Sequence, residues 1–108
     1  MFVVVFEVQP QEGRAQDYLE LAASLQSGIE QIEGFVSVER FESLARPGRL
    51  VAISYWRDDD AVKRWRDHNR HHLAQLSARE QIFSDYRITV AEIERQYGTL
   101  ERPEPPEA

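Results

Sequence analysis

The chain switches between two hydrophobic periods in a definite order, and that order leaves few architectures open. Phe2-Val3-Val4-Val5-Phe6-Glu7-Val8 is rich in β-branched and aromatic residues and is stopped by Pro10 and Gly13, which predicts a strand apolar on both faces. From Gly13 the period changes. Tyr18, Ala22, Leu25, Ile29 and Ile32 recur at steps of three and four, the pattern of an amphipathic helix, and Gly34 ends it. Phe35 to Phe41 and Leu50 to Trp56 are two further strands, and the Pro-Gly pair of Arg46-Pro47-Gly48-Arg49 favours a tight turn before the second. Asp58-Asp59-Asp60 then caps a helix expected to begin near Ala61 and run towards Gln75, with a candidate break at Asn69 and a further turn to Arg79. Tyr86, Ile88 and Val90 alternate with Arg87, Thr89 and Ala91 before Ile93 restores an apolar residue on the other face, predicting a last strand with a bulge.

Strand, helix, strand, strand, helix, strand is the α+β, ferredoxin-like βαββαβ order, with two helices on one face of a four-stranded antiparallel sheet. In Leu50 to Trp56, Leu50, Ala52 and Trp56 share one face while Val51, Ile53 and Tyr55 share the other. Helices cover only one of these faces, so a symmetric homodimer in which the second faces of two sheets meet is expected, with any space left between sheet and helices serving as a cavity. Residues 1–98 are read as this domain. Residues 99–108, with Arg102-Pro103-Glu104-Pro105-Pro106-Glu107, are read as an extended tail.

Thirteen basic and nineteen acidic residues give a net charge of -6, the wrong sign for holding nucleic acid through its phosphates. Arg57, Arg64, Arg66 and Arg70 form a local basic stretch, but Asp58, Asp59, Asp60 and Asp67 interleave with them as on a solvated helix face. Without cysteine there is no thiol nucleophile and no thiolate metal site. A signal peptide and a run of about 20 apolar residues are both lacking, so a cytoplasmic protein with no membrane partner is expected.

All three histidines fall within five residues, beside an indole, in Trp65-Arg66-Asp67-His68-Asn69-Arg70-His71-His72. Histidine titrates nearest neutrality, so this is the constellation best able to move a proton. On a helix turning about 100° per residue, Trp65 and His72 share a stripe with Ala61, Val62, Leu73 and Leu76, His68 sits at its edge, and His71 points elsewhere. A core histidine held by a backbone carbonyl is the structural alternative. His68 and His72 have a spacing that can bind metal, but Asp67 projects from another face and no third ligand is recognisable, so no metal is expected. Nucleotide-binding glycine motifs and nucleophile elbows are lacking. Glu92 and Glu94 read as residues that keep an edge soluble.

Tyr55-Trp56-Arg57-Asp58, Ala61, Trp65, His68, His71, Ala74-Gln75, Tyr86-Arg87-Ile88, Val90 and Ile93-Glu94-Arg95-Gln96-Tyr97-Gly98 together resemble the antibiotic biosynthesis monooxygenase domain. Glu33-Gly34-Phe35, where helix gives way to strand, fits the same pattern, and the resemblance covers residues 2 to 98. It implies a dimeric α+β barrel, a homodimer of ferredoxin-like units that each hold a pocket between sheet and helices. The family includes cofactor-independent oxygenases of phenolic polyketides, quinol oxygenases and haem-degrading enzymes. Haem-degrading members carry asparagine on the first strand, tryptophan on the second helix and histidine about ten residues on; this chain has Glu7, Trp65 and Gln75. Polyketide-oxidising members carry an asparagine one turn before the tryptophan, where this chain has Ala61.

The leading expectation is a monooxygenase that needs no bound cofactor and acts on a small aromatic or quinol-like compound. In it His72, and secondarily His68, would assist deprotonation, Trp65 would wall the pocket, and Tyr86 and Arg87 would orient a phenolic oxygen. The alternatives are a non-catalytic small-molecule-binding or stress-related dimer, and haem binding or degradation.

Overall fold

The computed structural model describes residues 1–79 and 83–99, with side chains except at 24, 72–79, 83 and 84. The expected tail beyond residue 99 lies outside the described residues. The elements are β1 (Phe2–Pro10), α1 (Ala15–Glu30), β2 (Phe35–Glu42), β3 (Leu50–Trp56), α2 (Asp59–Arg79) and β4 (Phe83–Glu92). They form one antiparallel sheet ordered β2-β3-β1-β4, the expected ferredoxin-like topology. Central β1 pairs with β3 from Phe2↔Trp56 to Val8↔Leu50 and with β4 from Phe2↔Glu92 to Pro10↔Phe83.

Alternation along β1 sets the two faces. Val4, Phe6 and Val8 are buried under the helices, while Val3, Val5 and Glu7 occupy the other face and are partly exposed. Val51, Ile53 and Tyr55 of β3 share that uncovered face, as the sequence pattern predicts. Two apolar clusters fill the covered side. Phe6, Val8, Tyr18, Ala22 and Ala52 surround the start of α1, and Val4, Ile29, Trp56, Ala61, Val62 and Trp65 join its far end to α2.

Several boundaries differ from expectation for identifiable reasons. Helix α2 begins at Asp59, because Asp58 is the cap: its Oδ1 accepts the Ala61 N–H at 2.9 Å. The helix runs unbroken through Asn69, whose side chain is buried rather than competing with the backbone. Strand β4 ends at Glu92 without the bulge expected near Ile93, whose N–H donates to the Met1 carbonyl at 2.9 Å. Register shifts fall instead at Gln9/Pro10, where proline has no N–H to donate, and between Phe35 and Ser37, where Val36 is the extra residue. The Arg46–Arg49 turn forms with Gly48 at φ 91 and the Arg49 N–H on the Arg46 carbonyl at 3.0 Å, the pattern of a type II turn.

Asp58 also makes the helix start sensitive to pH. Its carboxyl lies below the usual aspartate range, chiefly because it accepts the Ala61 N–H, with Arg57 and Arg64 adding against desolvation. A carboxylate depressed in the folded state stabilises above the unfolded-state value of about 4, and the contribution fades as pH falls through the lower folded value. Thermal melts should therefore show a Tm advantage over Asp58→Ala that is constant from about pH 8 to 5 and shrinks between about pH 4 and 2. An advantage unchanged down to the lowest pH would mean that ionisation of the cap contributes nothing.

Candidate active site around Trp65

Trp65 is 4% exposed, and α2 places it over β3, where its ring centroid lies 6.3 Å from that of Trp56 at 47°. Trp56 is fully buried, donates its Nε1–H to Ser54 Oγ at 2.9 Å and meets Phe35 edge-on at 5.4 Å. Satisfying that indole N–H inside the core leaves the Trp56 ring as an apolar surface for its neighbours. Phe2, Ile32, Phe35 and Ile88 complete the surroundings, so the chain builds an aromatic layer between α2 and the sheet.

The structure separates the predicted site residues. His68 faces α1: a β-carbon added to Gly28 would lie 3.4 Å from its Cε1 and 3.5 Å from its Nε2, in ordinary van der Waals contact with the imidazole. His68 Nε2 is shut off from solvent between the two helices. His71 is exposed, in keeping with its helical phase. Position 72 lies on α2, but its side chain is outside the described residues. Among the described residues no three His, Cys, Asp or Glu side chains gather as metal ligands.

Tyr86 stands on the covered side of the sheet, half exposed, with its ring edge-on to Phe6 at 6.0 Å, which puts it beside the cluster at the start of α1 rather than beside Trp65. Arg87 corrects the expectation that it orients a substrate next to Trp65. It lies on the uncovered face, where Nε and Nη2 donate to Glu7 at 2.7 and 3.0 Å. Alternation on β4 puts neighbouring residues on opposite faces, so Tyr86 and Arg87 cannot both reach one pocket. Hydrogen bonding to Arg87 holds the Glu7 carboxyl below its usual range, helped by the charges of Arg87, Arg49 and Arg46 against desolvation. Glu7 thus serves the uncovered face.

A groove of about 180 Å³ lies at the other end of α1, lined by Tyr18, Leu19, Arg40, Phe41, Glu42, Leu50 and Val51. Neither Trp65 nor His68 contributes to it.

The sequence profile of antibiotic biosynthesis monooxygenase matches residues 1–76. The chain belongs to this family. Among its relatives, the jasmonate monooxygenase of Pyricularia oryzae is 39% identical over 93 residues, which is 86% of this chain and 43% of that protein. This chain therefore corresponds to less than half of that relative's length. A Deinococcus radiodurans structure described as an antibiotic biosynthesis monooxygenase superposes with a TM-score of 0.76 at 16% identity, covering 91% of this chain and 97% of that one. SnoaB, a cofactor-independent oxygenase from Streptomyces nogalater, superposes with a TM-score of 0.70 at 17% identity over 88% and 94% of the two chains.

Within this antibiotic biosynthesis monooxygenase fold, one inward polar residue escaped sequence reasoning. Asn69 is only 9% exposed and follows Trp65 by one turn of α2. Helical phase could have found it, since it lies about 40° from Trp65 within the apolar stripe. Its reading as a helix breaker concealed that.

Proposed function

We propose that this chain is a monooxygenase that works without a bound cofactor on a small aromatic or quinol-like compound. The observation that carries the reading is the buried Trp56–Trp65 pair between α2 and the sheet, in a chain of this family. Such a wall takes a flat ring by stacking and excludes water, which favours an electron-rich, deprotonated substrate as the reductant of dioxygen. The balance is simple for a phenol. One oxygen atom replaces the ring hydrogen as a quinone carbonyl, and the other leaves as water.

In this reading position 72, two turns beyond Trp65 on one stripe, supplies the base that takes the phenolic proton. His68, turned towards α1, has the lesser part. The uncovered face, with Val3, Val5, Val51, Ile53 and Tyr55, is the surface through which two copies would assemble. The Pyricularia oryzae relative is named a jasmonate monooxygenase, which supports a small organic substrate while leaving its class wider than quinols.

An oxygen electrode run with 1-naphthol, alongside absorbance of the quinone, should show one dioxygen consumed per quinone formed. His72→Ala should slow turnover by about 10²- to 10⁴-fold, and His68→Ala by less. Unchanged rates in both variants would remove the histidines from the mechanism. Binding of 1-naphthol by the wild type with no oxygen uptake would establish the non-catalytic binding protein instead, and a haem absorbance shift lost on histidine replacement would point to haem.

A further inference from the structure

The Nδ2 atom of Asn69 is sealed from solvent and reaches no hydrogen-bond acceptor among the described residues. The residue as a whole is 9% exposed. Buried amides nearly always find a partner, because an N–H that leaves water without another acceptor is a net loss to the fold. An amide left in this state one turn from the buried Trp65 needs a reason.

Its position supplies one. Asn69 stands four positions beyond Trp65, so the two side chains stand on one face of α2, about 40° apart. Ala61 lies about as far on the other flank and His68 about 60° out on that same flank, the one that meets Gly28 of α1 and Gly34 in the connection to β2. Asn69 therefore occupies the flank turned away from α1, with Val62, which is buried against Trp65 and Trp56. Contacts of α1 with β2 place that helix at one edge of the sheet, and Ile88 of β4 closes the cluster from the other.

We infer that Asn69 fixes the orientation of the bound small molecule: its Nδ2–H donates to a carbonyl or phenolate oxygen of a ring lying against Trp65. The inference rests on the aromatic-ligand reading above and adds the group that tells an oxygenated ring from a hydrocarbon of the same shape. A donor with no acceptor among the described residues selects for an acceptor in the ligand, whereas the indoles alone would accept either.

Calorimetric titration of the wild type, Asn69→Leu and Asn69→Ala with 1,4-naphthoquinone and with naphthalene tests this, in a chain with no cysteine to react with the quinone. The wild type should prefer the quinone by about tenfold, the equivalent of one hydrogen bond. Both variants should lose that preference while holding naphthalene within about twofold of the wild type. Asn69→Leu should also raise the Tm, since an apolar side chain of similar size replaces a buried donor that lacks an acceptor. Either variant keeping the quinone preference overturns this inference and leaves the aromatic-ligand reading standing. Failure of both probes to bind the wild type overturns the two together. Should Asn69→Leu fold poorly, Asn69→Ala decides alone, because it removes the donor without adding bulk.

Discussion

Trp56→Ala is expected to destabilise the protein by about 3–5 kcal/mol, the range for emptying a large aromatic site in a packed core. The indole is fully buried, touches both Phe35 and Trp65, and donates to Ser54 Oγ at 2.9 Å. Removing it leaves a cavity and a buried hydroxyl that has lost its donor, so the two losses compound. Domains of this size are stable by only about 5–15 kcal/mol, so the variant would stand near the edge of folding. Urea unfolding followed by circular dichroism should show a midpoint shifted far down with the slope retained. A loss below about 1 kcal/mol would mean that α2 collapses onto the sheet, and that the aromatic layer is not the rigid wall assumed for the substrate.

Gly34→Ala should cost about 2–4 kcal/mol, for two separable reasons. Gly34 has φ +93, a conformation that L side chains rarely adopt, and an added β-carbon would lie 2.5 Å from Ala61 Cβ. Ala61 is fully buried in the first turn of α2 and has nowhere to retreat. The backbone around Gly34 is also pinned: its carbonyl accepts the Arg57 N–H at 2.8 Å, and Arg64 donates to the preceding Glu33 carbonyl at 2.9 Å. A double-mutant cycle separates the terms. Adding Ala61→Gly to Gly34→Ala should recover the collision energy while leaving the conformational strain, so the pair should be less destabilised than the two single changes summed. Strict additivity would show that the close approach is not felt in solution.

How much of this could be read from the chain depended on which physical signal carried it. The βαββαβ order was legible because each element advertises its own period, and Gly34, Pro47-Gly48 and Asp58 mark the changes where the backbone needs them. Trp65 was legible too, because helical phase fixes its face. His68 was only half legible: phase put it at the stripe's edge, but only the approach of Gly28 on another helix shows that the edge faces α1. Arg87 was expected to orient a phenolic oxygen together with Tyr86, whereas cross-strand pairing with Glu7 commits it to the other face. Asn69 was read by its propensity as a breaker, and tertiary burial overrode that propensity.

The pairing of β1 with both β3 and β4 has a consequence for how the protein is made. Of the four strands, β1 is made first yet stands third in the sheet order, and one of its edges waits for residues 83–92. Until they arrive, the Val3-Val4-Val5 stretch presents an unsatisfied row of backbone groups, the kind of template on which chains associate wrongly. Closure therefore comes as a late, long-range event. Newly made copies should depend on crowding and on synthesis rate more than the finished fold does.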